Sequence, residues 1–206
     1  MYARVRKTAA LPFEHGQEPA PMLLGKFGEQ PGFAGAVFQR SINGPGGCLV
    51  TLWESRPDAE ASWDRLEQAL GQSLPLQITH DAIYEVRHVA AGPASEQEPS
   101  FSSVLWFDGP RSEAQAAADD LARVRISPVT SALNGVVTTW VLRGEDLSQI
   151  IVSATTSLEA IESAVDAVGR TELLAGEDPS LVPVPSSSDI YRVRTYAPAR
   201  VAVGAS

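Results

Sequence analysis

The chain has 206 residues, enough for one large domain or two modules of about 100 residues each. Apolar residues supply 44% and charged ones 20%, an ordinary globular balance that excludes a chain too polar to fold. With 25 acidic against 16 basic residues the formal charge is -9, which argues against a nucleic-acid partner, because counterion release needs clustered cations, and fits an acidic solvated surface.

The N-terminus reads Met1-Tyr-Ala-Arg-Val-Arg-Lys and then meets Pro12. No apolar run there suits a signal sequence or a membrane span, so the chain is expected to be cytoplasmic with no membrane partner. From there the pattern predicts a strand over 2–8, a weak helix over 20–28, strands over 33–41 and 48–55, a helix over 57–70 and a strand over 82–90. The run Asn43-Gly44-Pro45-Gly46-Gly47 joins the middle strands and suits a hairpin. The second half repeats the order: strand 101–107, helix 112–124, strands 135–143 and 149–155, helix 158–168 and strand 190–196. Stretches 89–100 and 175–188, rich in Pro, Gly and Ser, read as connections.

Three features recur about one hundred residues apart, and their shared order points to duplication. Ser55-Arg-Pro-Asp58 and Thr156-Ser-Leu-Glu159 read as helix capping boxes. Apolar strands, Leu49-Val-Thr-Leu52 and Ile150-Ile-Val-Ser153, precede them, and Ile-Tyr-x-Val-Arg closes both halves at 83–87 and 190–194. The expected fold is α+β, two tandem ferredoxin-like βαββαβ modules (1–92 and 100–198) packed sheet to sheet as an intramolecular dimeric α/β barrel. Whether the tandem chain forms a further homodimer stays open.

The single cysteine, Cys48, excludes an internal disulfide and lies in an apolar strand, as a buried thiol would. Trp53, Trp63, Trp106 and Trp140 serve either as core packing or as aromatic walls of a cavity. His88 alternates with Tyr84 and Val86 on one strand, which makes it the histidine expected to point inward, either as a hydrogen-bonded core imidazole or as a general base. His15 sits in a predicted loop. Tyr84 and Arg87, like Tyr191 and Arg194, are scaffold residues of the repeated strand or pocket lining. No metal-ligand spacing, Rossmann fingerprint, nucleophile elbow or Walker loop is present, so neither a metal nor a cofactor is expected.

The run Gln30-Pro31-Gly32-Phe33-Ala34-Gly35, with Leu49-Val-Thr-Leu-Trp-Glu-Ser55 and Trp63, resembles the antibiotic biosynthesis monooxygenase family of the dimeric α/β barrel superfamily. The resemblance covers residues 1–90. The second half lacks the Pro-Gly-Phe run and has Ala154 in place of Trp53. It implies a pocket between sheet and helices and a chemistry ranging from cofactor-free oxygenation of polycyclic aromatics to haem breakdown. Trp63 falls near the tryptophan of the haem-degrading branch, but Arg4 and Arg6 stand where that branch has a first-strand asparagine. Ser73 stands at its histidine position, and His80 lies farther on.

A cofactor-free oxygenase must deprotonate an activated phenol or anthrone so that its carbanion reduces dioxygen. The candidate residues are His88, Tyr84 and Arg87 for catalysis, and Trp53, Trp63 and Phe38 for binding a small aromatic or hydrophobic molecule. The alternatives are a barrel that binds a hydrophobic ligand or a protein without chemistry, and a haem-binding protein.

Overall fold

A computed structural model describes residues 1–10, 19–74 and 76–199; Pro12 and His15 lie outside them. The fold is α+β. The elements are β1 (Tyr2–Thr8), α1 (Ala20–Gly28), β2 (Phe33–Ser41), β3 (Gly47–Trp53), α2 (Arg56–Leu70) and β4 (Ile78–Ala91), and then β5 (Phe101–Phe107), α3 (Glu113–Ser131), β6 (Val136–Arg143), β7 (Gln149–Thr155), α4 (Leu158–Gly169) and β8 (Ser187–Ala197). A short 3-10 turn, Pro179–Leu181, precedes β8. In hydrogen-bonding order the strands run β1-β3-β2-β8-β5-β7-β6-β4, a closed barrel. No helix among the described residues is long and apolar enough to cross a membrane.

The chain divides into two compact units, 1–85 with 191–206, and 86–190. Each cut falls inside a strand and inside a repeated Ile-Tyr-x-Val-Arg. Residues 78–85 of β4 pair with β1, from Thr8↔Ile78 to Tyr2↔Glu85. Beyond Ala91 the chain runs beside β6 in the second unit, where the Gly92 and Ala94 amides donate to the Val137 and Val136 carbonyls at 3.0 Å. Likewise the Ser186 amide donates to Trp106 O at 2.7 Å in the second unit, and residues 191–197 of β8 pair with β2 in the first, from Ser41↔Tyr191 to Ala36↔Ala197. The repeated motif thus marks the point where each closing strand passes from one unit to the other. Its β-branched and aromatic residues suit a strand that must stay extended across that point.

In the first unit, strand alternation sends Ala3, Val5, Val50 and Leu52 to one face, all fully buried, and Ala36, Phe38 and Trp53 to the face packed against α1 and α2. α2 starts at Ser55, whose hydroxyl accepts from the Asp58 amide at 3.2 Å, and ends at Gly71 in the left-handed region. In the second unit the cap of α4 is Ser157, accepting from the Ala160 amide, one residue later than the expected box at Thr156. The Thr156 amide is instead committed to Gly135 O. α3 runs seven residues past its expected end and carries Pro128 inside it.

A second shared device lies at the entry to β2 and β6. Gly32 (φ +71°) and Gly135 (φ +83°) both take a left-handed turn, and their carbonyls accept from the Glu54 and Thr156 amides, each at 2.8 Å. The glycine of the Pro-Gly-Phe run is therefore a turn element present in both halves. A Cβ on Gly32 would collide with the Asp58 carboxylate. Gly32→Ala is expected to cost about 1–2 kcal/mol, read from urea unfolding. Gly28→Ala, where a Cβ meets nothing within 4 Å, should cost nothing.

Candidate functional site

Between the sheet and helices of the first unit lies a cluster of aromatic rings. Phe27 of α1 is its hub, with ring centroids 6.0 Å from both Phe38 and Trp53 and 6.3 Å from Trp63, while Phe33 meets Trp53 edge-on at 5.6 Å. Edge-on and tilted contacts match each positive ring edge to a negative face. Trp53 is 0% exposed and its indole N–H donates to Thr51 Oγ1 at 2.9 Å, so it is wall and support. Trp63 and Phe38 are buried in the same cluster, at 9% and 7% exposure. The three residues expected to contact a ligand are thus brought together.

Over this wall sits a charged group that the sequence did not single out as a site. Arg6 lies with its guanidinium carbon 3.8 Å from the centroid of Trp63, a cation–π stack. Asp81 on β4 accepts from Arg6 Nη2 at 2.7 Å and from Arg4 Nε and Nη2 at 2.9 Å each. Arg4 Nη1 also donates to the Ala59 and Glu60 carbonyls of α2, at 3.2 and 2.9 Å, tying β1 to the helix. Burial pulls the pKa of Arg6 below its usual value, against the hydrogen bond it donates to Asp81. Burial alone would raise the Asp81 carboxyl, but the hydrogen bonds and charges of the two arginines prevail and hold it at about 2. Asp81 is therefore a fixed anion and a poor proton acceptor. Arg6 Nε is buried with no hydrogen-bond partner.

The three residues expected to be catalytic go elsewhere. Tyr84 lies on the sheet face opposite the rings, beside Ala3, with its hydroxyl 3.0 Å from His80 Nε2. His88 belongs to the second unit, where its Nε2 is 2.8 Å from Ser127 Oγ on α3. Burial, and secondarily the charge of Arg123, push its pKa down. Arg87 is exposed on β4. Among the described residues, no group of three or more His, Cys, Asp or Glu side chains could hold a metal ion.

The alternation Tyr2, Arg4, Arg6 along β1 could have flagged two cations on the helix-facing side. Their partner Asp81, 75 residues away from Arg6, could not be read from spacing.

Strand order, helix placement and element sequence define the ferredoxin-like fold of antibiotic biosynthesis monooxygenase-like proteins. Solved structures bear this out at low identity. A Fusobacterium nucleatum protein with a provisional monooxygenase assignment is similar at TM-score 0.64 and 7% identity, covering 95% of this chain and 93% of that one. An anthrone oxidase-like protein is similar at 0.55 and 17%, covering 95% and 92%. An uncharacterised Listeria monocytogenes ferredoxin-fold protein related to antibiotic biosynthesis monooxygenases is similar at 0.54 and 12%, covering 94% and 95%. Neither a protein-family model nor a curated protein matches the chain by sequence.

Proposed function

We propose that the chain is a cofactor-independent oxygenase of a small aromatic or polyketide-like molecule, acting in the first unit. The observation that carries this reading is the Arg6 guanidinium stacked on Trp63 above the Phe27, Phe38 and Trp53 rings. A flat substrate would rest against Trp63 and Phe38, the ring-cluster residues that keep some exposure. Its ketone oxygen would face Arg6, whose Nε proton has no acceptor.

For an anthrone, loss of the methylene proton leaves a carbanion delocalised onto that oxygen, and a fixed cation there stabilises the charge as it develops. Asp81, held at about 2, leaves the proton to water and serves to orient Arg4 and Arg6. The carbanion gives its electrons to dioxygen, and loss of water from the resulting hydroperoxide yields the quinone. The anthrone oxidase-like and monooxygenase-like neighbours make this chemistry a natural first choice for this fold.

The test is oxygen uptake with a panel of anthrones and hydroxylated polycyclic aromatics. The expected result is turnover that falls about a hundredfold in kcat for Arg6→Gln, with a smaller change in KM. No rate above background across the panel would overturn the proposal. The second reading, ligand binding without turnover, is favoured by the absence of a good base at Asp81. It predicts quenching of Trp63 fluorescence by the same compounds with no oxygen consumed.

A further inference from the structure

α3 has a buried side and an apolar outer side. Ala116, Asp119, Ala122 and Arg125 are buried on the inward one. On the outer one Ala114, Ala117, Leu121 and Val124 recur at spacings of three, four and three, the pattern of a helix seam that receives a second helix. All four are exposed, Leu121 by 45% and Val124 by 54%.

Beside this stripe runs segment 170–186, which links α4 to β8. Arg125 pins it to α3, donating from Nε to Glu177 Oε1 at 3.1 Å and from Nη1 to Thr171 O at 3.3 Å. Between helix and segment lies a cavity of about 120 Å³, walled by Ala114, Ala117, Ala118 and Leu121 on one side and by residues 176–178 and 181–183 on the other. The apolar surface continues around its mouth. Of the ten large apolar residues exposed among the described residues, six sit on α3 or on this segment: Leu121, Val124, Leu173, Leu174, Val182 and Val184. Together they expose on the order of 500 Å², toward the top of what a monomer leaves in one patch. Two such patches supply the roughly 1,000 Å² that a specific interface must clear. Asp120 beside the stripe and Glu177 in the cavity wall are each paired within the chain, with Arg143 and Arg125, so neither calls for a cation from outside and an apolar occupant fits best.

We propose that this face receives a second copy of the chain, α3 against α3 in antiparallel sense about a two-fold axis level with residue 119. The gradient of side-chain size along the stripe selects that arrangement. Alanines stand at 114 and 117 and larger residues at 121 and 124, so the two-fold sets Leu121 of each copy opposite Ala117 of the other, and Val124 opposite Ala114. A parallel pairing would instead crowd Leu121 on Leu121 and leave alanines facing each other across a gap. In the antiparallel pair Leu121 of one copy enters the cavity of the other. That cavity, at about 120 Å³, is somewhat smaller than the roughly 150 Å³ that holds a benzene ring, and it suits one aliphatic side chain. Because the same patch is used on both copies, the assembly closes at two.

Sedimentation of the whole chain across a concentration series reads the association. The wild type is expected to pass from the mass of one chain to that of two, and more readily with added salt, because two copies of charge -9 repel until screened. Leu121→Lys should weaken association on the order of a hundredfold, since each dimer carries the change twice, with the circular dichroism spectrum unchanged. Ala117→Glu keeps a good helix former at an exposed site and should weaken association likewise, which keeps the test decisive if Leu121→Lys does not fold. Disulfide trapping reads the register: a mixture of Ala114→Cys and Val124→Cys chains should cross-link under mild oxidation and either variant alone should not, the native Cys48 being buried. A wild type that stays monomeric at every concentration, or a dimer indifferent to both Leu121→Lys and Ala117→Glu, would overturn the proposal. So would Ala114→Cys chains that cross-link alone as fast as in the mixture. A monomer that instead took up a Leu- and Lys-rich helical peptide, and lost it in Leu121→Lys, would assign the face to a foreign basic segment and overturn the proposal as well.

Discussion

Trp53→Ala is expected to remove about 3–5 kcal/mol of stability, the usual range for deleting a fully buried aromatic. The residue is 0% exposed and holds two neighbours at once, Phe27 at 6.0 Å and Phe33 at 5.6 Å between centroids. The vacated volume lies between sheet and helices, where α1 contributes only nine residues and has no side-chain cap, so α1 is the element expected to shift. Urea unfolding read by circular dichroism measures the loss. Trp63→Ala provides the contrast: at 9% exposure it should cost less stability and more ligand affinity. A loss below about 1 kcal/mol for Trp53→Ala, outside the range for such deletions, would show that the ring cluster is loosely packed.

Asp81→Asn should cost about 2 kcal/mol at neutral pH, below the 3–5 of a fully buried pair, because the Asp81 side chain is 28% exposed. It would leave the side chains of Arg4 and Arg6, 16% and 9% exposed, facing each other without their shared anion. The same contact predicts an acid limb of stability. The folded carboxyl sits at about 2 against roughly 3.9 when unfolded. Because the folded value is the lower one, the contribution is complete above about pH 4 and is lost as pH falls toward 2. Linkage sets an upper bound of about 2.6 kcal/mol, which solvent screening reduces to about 1–2. Thermal melts between pH 5 and 2 should show Asp81→Asn losing less stability than the wild type over that range. Parallel curves would remove Asp81 from the account of acid sensitivity.

Much of the fold could be read from the sequence because its signals are local. The Asn43–Gly47 run, the Ser55 cap and the alternation in the central strands each act within a few residues. What could not be read depended on distant partners. The extra length of β4, which begins at Ile78, rests on pairing with β1, and α3 continues through Pro128 where periodicity suggested a stop near Val124. The aromatic half of the first-unit site was legible because tryptophan and phenylalanine stand out in any strand or helix. Its charged half was not. Arg4, Arg6 and Asp81 are ordinary surface residue types, and only the register Arg6↔Asp81 makes them a unit. Asp119 looks like one of two adjacent helix-surface aspartates until the helix is rotated against its sheet.

The division of β4 and β8 bears on how the protein must be made. A ribosome that has released the first ninety residues has supplied β1 to β4, yet the outer edge of β2 still waits for residues 191–197. Until residues 191–197 emerge, that edge offers unpaired amides and carbonyls to any neighbouring chain. The nascent protein therefore depends on keeping β2 covered, by a chaperone or by speed, while residues 92–190 are made. A stall or truncation in the second half would harm the first.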